Sequence, residues 1–209
     1  MSKIVEYRGV RKLVGALLTA DTTESLTYGT VFPIAGTSKL SKTVESSSES
    51  KYYDNMPAIV IDGVGPDTIT IDASAIPYDV QAKITGQFYD ETTGMLVEGT
   101  GVRPYLAIGY ITEDTDGNEV YVWRLKGKFS LPTEEHSTKD NGTTANGQQL
   151  VYTGINTTHE FGALDNENVK TAKGVILETV KKLTTLTETT FFADVQDPDK
   201  IAAAKKPAA

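Results

Sequence analysis

The chain has no cysteine, one tryptophan, two histidines and three methionines in 209 residues. Without cysteine there is neither a disulfide framework nor a thiolate zinc site, so stability has to come from packing. No run approaches the ~20 apolar residues that a membrane-spanning helix requires. The apolar stretch near the start, "LVGALLTA", is short and follows Glu6 and Arg8, a poor match to a signal peptide, so a soluble protein of the cytoplasm is expected. Basic charge is scarce as well. Twenty Lys and Arg stand against 28 Asp and Glu, a net charge of −8, where a protein that grips nucleic acid shows a basic patch to neutralise phosphates. What is present, 39% apolar and 23% charged residues, suffices for one sizeable core and excludes wholesale disorder.

Strand signals dominate. "GPDTITIDA" alternates Thr68 and Thr70 with Ile69 and Ile71, and "RPYLAIGYIT" alternates in the same way. The second is followed by "EDTDGNE", where Asp116-Gly117 suits a tight hairpin, and then by "VYVWRLKGKFSL". Residues 103–131 therefore read as a two-stranded antiparallel ribbon. On its returning strand Tyr121, Trp123, Leu125, Phe129 and Leu131 share a face that is expected to be core. Arg124, Lys126, Lys128 and Ser130 take the other face, expected to be wet. A helix is predicted in "IPYDVQAKITGQF", where Ile76, Val80, Ile84 and Phe88 recur every four residues. "NVKTAKGVILETVKKLTTLTE" fits helix and strand equally, and "TTFFADVQDPDK" has room for one helical turn.

Searches for chemistry fail one by one. His136 sits beside Glu134 and Glu135 in a polar loop, but neighbours in sequence on a loop do not converge as a catalytic pair must. His159 lacks the second histidine of a zinc-protease helix, since position 163 is Ala163. Aligning "TEDTDG" as a calcium loop puts Thr112 first and Trp123 twelfth, where acidic ligands are needed. "GVGPDT" and "GTGVRP" break the dinucleotide pattern at Thr68 and Pro104. No catalytic residue, cofactor site or metal site is assigned, and an enzyme is not expected.

The order of the pieces is distinctive: "GVRKLVGALLT", then "YGTVFPIAGTSKLSKTVESSSESKYYDNMPAIVIDGVGPDTITI", a short helix after "IPYDV", "YDETTGMLVEGTGVRPYLAIGYI", and "YVWRLKGKFSLPTEEHSTK". Over residues 9–160 this resembles the major tail protein family of long-tailed bacteriophages infecting Gram-positive hosts, "SSSESKYYDN" and "YVWRLKGKFSLPTEE" being the most specific parts, whereas the carboxyl-terminal third departs from it. The resemblance implies a mainly β subunit, an antiparallel β-sandwich or barrel-like tail tube fold with one flanking α-helix and long interaction loops. It also implies hexameric rings stacked into a hollow tube that delivers DNA, with assembly in the host cytoplasm. The implied partners are further copies of the chain, a tape measure protein, a tail terminator and a distal tail protein.

The expected organisation is a basic amino-terminal arm (1–12), one domain (13–196) and a flexible tail (197–209). Two long polar segments, 37–66 and 132–148, exceed the usual loop length and are the candidate contact arms. Candidate contacts between copies are Arg8 and Arg11 in the arm; Tyr52, Tyr53, Asp54 and Asn55 in the first segment; the row Arg124, Lys126 and Lys128; and Glu134 with Glu135. A rival from another class is a β-sandwich adhesion or carbohydrate-binding module with Trp123 and the tyrosines as its platform, which requires those aromatics to be exposed.

Overall fold

The computed structural model describes residues 4–136, 138, 146–164, 169–181 and 183–205. Its elements in chain order are β1 (Tyr7–Asp21), β2 (Leu26–Tyr28), β3 (Phe32–Ala35), β4 (Thr37–Tyr53), β5 (Met56–Ala73), α1 (Tyr78–Thr85), β6 (Phe88–Asp90), β7 (Met95–Val97), β8 (Leu106–Asp114), β9 (Glu119–Phe129), β10 (Thr133–Glu134), β11 (Gln148–Gly154), β12 (Gly174–Glu178), α2 (Glu188–Phe191) and α3 (Pro198–Ala203). Ten strands form one antiparallel sheet in the order β2-β1-β8-β9-β11-β5-β4, with β3 added to β1, β12 to β9 and β10 to β11; β6 and β7 make a separate pair. The chain is thus mainly β and sandwich-like, with helix α1 where the four-residue apolar period predicts it and Gly86 closing it in a left-handed conformation.

The expected ribbon is present as β8 and β9, joined by a loop in which Gly117 has a φ of 82° and the Asp114 carboxylate accepts from the backbone N–H of Asp116 and Asn118. Both faces of this ribbon are buried, not one. Leu106 and Ile108 join a core with Ile69, Ile71, Ile84 and Tyr152, against which α1 packs. Ala107 and Ile111, pointing the other way, join Tyr121, Trp123, Phe191 and Phe192. The carboxyl-terminal segment covers this second face. Sequence alternation could not reveal it, because a strand buried on both sides reads like one with a wet face when its outer residues include lysines and threonines.

A bulge in β9 changes the predicted facing of its side chains. Between the pairs Leu106↔Gly127 and Ile108↔Arg124, two steps of β8 oppose three of β9. One extra residue flips every side chain beyond it. Tyr121, Trp123 and Leu125 therefore lie in one core, while Phe129 lies in the other and Leu131 is 54% exposed. The expected cation row is divided by the same step. Gly127 is the residue the bulge demands, since a Cβ there would come within 2.3 Å of the Tyr152 ring and 2.4 Å of the Thr153 carbonyl oxygen.

Other expectations also change. Residues 37–66 form most of a long hairpin and not a loop: Asp54 and Asn55 both take positive φ, 51° and 65°, the two-residue turn that matches strand twist. Residues Tyr7–Lys12 of the expected arm are the start of β1, paired with β8. The ambiguous carboxyl-terminal stretch yields strand β12 and a 3₁₀ turn (Thr179–Lys181), and the helical turn expected in "TTFFADVQDPDK" is present as α2. The expected flexible tail begins instead as α3, because Asp197 caps its first turn by accepting from Lys200 N–H at 2.9 Å and Ile201 packs on the second core. Residues 206–209, like 137 and 139–145 of the polar loop 132–148, lie outside the described residues.

Trp123 is fully buried, its indole N–H donating to the Phe191 carbonyl at 3.1 Å, and Gly109 makes the space: a Cβ there would meet Trp123 and Phe192 at 3.0 Å. Trp123→Ala is expected to destabilise the fold by about 3–5 kcal/mol through the cavity and the orphaned carbonyl, read as a shifted midpoint in urea unfolding.

Candidate assembly surfaces

Among the described residues, the outer part of the β4–β5 hairpin is the feature that no internal packing accounts for. Its strands pair from Thr37↔Ala73 to Tyr53↔Met56, but β11 lies beside β5 only along Asp67–Ala73. Beyond that point the ribbon has two strands and, among the described residues, no third. Its outer part carries Val44, Tyr52, Tyr53, Met56, Ile59, Val60 and Val64, each more than 40% exposed. Ile59 and Val60 are adjacent and so face opposite sides, which means that both faces of the ribbon are apolar. A lone two-stranded ribbon is marginal in water, and this many exposed large apolar side chains make it the candidate contact surface. The turn residues Asp54 and Asn55 and the aromatics Tyr52 and Tyr53 form its crown.

The root of the hairpin is fixed by charge. Asp67, 3% exposed, accepts from Lys173 Nζ at 2.9 Å and lies 3.1 Å from Lys42 Nζ, with the Arg124 guanidinium at 3.9 Å. Lys173 also donates to the Gly65 carbonyl. Burial opposes ionisation of Asp67, but the hydrogen bonds from Lys173 and Lys42 outweigh it and hold its carboxyl below the usual range. Three cations around one carboxylate leave positive charge in excess, and the buried Arg124 Nε has no hydrogen-bond partner among the described residues.

The remaining sequence candidates are placed as follows. Arg124, expected in a solvated row, is 7% exposed on the hairpin side of the sheet. Lys126 and Lys128 lie beyond the bulge, over the Tyr105 ring at 5.3 and 4.2 Å, and Lys126 Nζ reaches Asp21 at 2.5 Å. In the first strand Arg8 pairs with Glu113 at 2.9 Å, while Arg11 bonds both Glu119 and Glu188 and Lys12 bonds Glu188 at 2.9 Å. These cations thus tie β1 to β8, β9 and α2 within one subunit. Glu134 is held by Gln148 from β11 and faces the exposed His136 at 3.4 Å, while Glu135 is exposed. His159 contacts the Thr23 carbonyl at 3.0 Å and stacks edge-on against Phe161. Sequence reasoning missed Asp67 and Lys173, which are 106 positions apart and carry no local motif. It also passed over "MPAIVID", whose apolar content inside a supposed polar loop was the available signal.

A family model described as phage tail tube protein matches residues 19–194. The chain belongs to the phage tail tube protein family. The match runs through the carboxyl-terminal segment as far as Asp194, including the third that departs from the resemblance read in the sequence. No curated protein matches the chain. As a tail tube protein it is a structural component of the phage virion that self-assembles into the tail tube, and it is not an enzyme. No helix among the described residues is long and apolar enough to cross a membrane.

Two consequences of this electrostatic wiring can be measured. Asp67→Asn keeps the shape but strands Lys42, Lys173 and Arg124 without a counter-charge, and is expected to cost about 3–5 kcal/mol in denaturant unfolding. Glu188 is held down to about 2 from 4.5, chiefly by its hydrogen bond from Arg11 and then by that from Lys12. A depressed carboxylate contributes stability that is fully present above its unfolded value and is lost as pH falls toward the folded one. Glu188→Gln should therefore flatten the acid limb of the stability curve between about pH 4.5 and pH 2, measured by unfolding at successive pH values.

Proposed function

We propose that copies of this chain close into rings of six, and that the rings stack through the β4–β5 hairpin into a hollow tube that carries DNA to the host. The observation that bears most weight is the outer hairpin, whose apolar side chains on both faces find no cover among the described residues of the subunit. Stacked rings repeat a heterologous contact, and such a contact needs an element that reaches beyond its own domain. The net charge of −8 suits a conduit that passes a polyanion without holding it. A long-tailed phage of a Gram-positive host, assembling its tail in the host cytoplasm, is the setting that the sequence resemblance implies. A tape measure protein inside the tube, a terminator at one end and a distal tail protein at the other complete the proposed set of partners. Glu135 and the lysines over Tyr105 are further candidates for contacts within a ring.

A sugar-binding module is disfavoured by one specific fact. Its platform would have to combine Trp123 with the tyrosines on one exposed face, and Trp123 is fully buried against Phe192, away from the exposed Tyr52 and Tyr53.

Replacing Tyr52 and Tyr53 together by serine tests the hairpin's role. Both side chains are more than 60% exposed, so the circular dichroism spectrum and the unfolding midpoint should stay as in the parent. If each aromatic anchor contributes about 2 kcal/mol at a packed interface, the concentration at which tubes appear by negative-stain imaging should rise by more than tenfold. Loss of the folded spectrum would place the tyrosines in the subunit's own core instead.

A further inference from the structure

The hairpin needs a seat, and one cleft has the chemistry to provide it. Where the first residues of β4 pass the β8–β9 ribbon, the surface opens into a cleft of about 450 Å³, within the roughly 300–1,000 Å³ range in which clefts bury a ligand-sized group. Its floor is apolar, made by Tyr110, Val120 and Val122, a small cluster separate from the two main cores. Lys39, Lys42 and Arg124 line it. Lys42 and Arg124 share the single carboxylate of Asp67 with Lys173, Lys39 is exposed, and the Arg124 Nε is buried and unpartnered among the described residues. In a protein of net charge −8 this is a positive, apolar-floored recess.

The outer hairpin is its complement. Residues 45–56 carry Glu45, Glu49 and Asp54 against Lys51, and the crown presents Tyr52, Tyr53 and Met56 beside the Asp54 carboxylate. The tip cannot fill the cleft of its own subunit. Lys42 marks the cleft and Tyr53 the crown, and an extended strand rises about 3.3 Å per residue, which separates them by roughly 35 Å.

We propose that the hairpin crown of one copy seats in the β4–β8–β9 cleft of the next, one of its two tyrosine rings on the Tyr110–Val120–Val122 floor and the Asp54 carboxylate toward Arg124 and Lys39. The inference rests on the assembly reading above and deepens it by naming the receptor. Because crown and cleft lie at opposite ends of one ribbon, the contact runs head to tail and does not close on a pair of copies. It generates an open series, as a tube requires.

The absence of cysteine gives a clean test. Ser38→Cys at the cleft and Met56→Cys beside the crown are both exposed positions, so neither change disturbs a core or removes a cation of the cleft. Tubes of the double variant, treated with a short bis-maleimide and run under denaturing conditions, should give a ladder of dimers, trimers and longer products. Neither single variant should give products, and an equimolar mixture of the two singles should give dimers linked between position 38 of one and position 56 of the other. Tubes that form but yield no ladder, or products from Met56→Cys alone, would overturn the crown-in-cleft contact while leaving assembly intact. A thiol at position 38 that becomes protected in tubes without cross-linking to 56 would put a different segment of the neighbour in the cleft, and so would also overturn it. Failure of the parent chain to form tubes at any concentration would remove the assembly reading and this inference together. Should the double variant fail to fold, the mixed singles decide the matter by the presence or absence of the heterodimer.

Discussion

The bulge in β9 between Arg124 and Gly127 sets most of what the subunit can do. Before it, odd-numbered side chains enter the core under the carboxyl-terminal segment; after it, they enter the core under α1. That single extra residue lets one strand serve two hydrophobic clusters. It lets β9 offer its outer edge to β12 along Val120–Arg124 and to β11 along Gly127–Phe129. It also sends Arg124 toward Asp67 and the hairpin root, and Lys126 and Lys128 toward Tyr105. Gly127 is the covalent condition for this arrangement, since any side chain there would enter the Tyr152 ring.

Given that frame, the hairpin is stiff at its root and uncommitted at its tip. The root is held by β11 along Asp67–Ala73 and by the buried charge cluster at Asp67. The tip has only its own cross-strand pairs, seven large apolar side chains in water and a tight turn. Covering those side chains is favourable at about 25 cal/mol per Å² of apolar area, and a pre-formed ribbon loses less freedom on docking than a disordered loop would. A rigid root with an unsatisfied tip is thus the arrangement that converts exposed apolar area into association.

The sequence disclosed the parts of this design that depend on short-range pattern. Period-two alternation found the β8–β9 ribbon, the four-residue period found α1, and "SSSESKYYDN" with "YVWRLKGKFSLPTEE" pointed to the family. It failed where the outcome depends on distant residues. A bulge is set by which strand lies opposite, so alternation alone carried the wrong facing through to Phe129 and Leu131. The polar composition of β4 hid the hairpin, and the apolar run "MPAIVID" and the turn pair Asp54-Asn55 were the signals that marked it. The Asp67 cluster draws its cations from β4, from β9 and from the segment before β12, which no local reading assembles.

Charge resolves what would otherwise be a conflict between solubility and polymerisation. A net charge of −8 keeps copies apart at long range, and in a polymer this repulsion accumulates with every subunit. Association therefore requires local complementarity strong enough to overcome it at contact distance. The subunit meets that requirement by segregation: its basic side chains in β1 are consumed by Glu113, Glu119 and Glu188, while the surplus at Lys39, Lys42 and Arg124 is left beside an apolar floor. Repulsion acts over a Debye length of about 8 Å at physiological salt, whereas a seated carboxylate and its cation are screened far less. The crown-to-cleft orientation brings opposite charges together, and that orientation is the one that propagates.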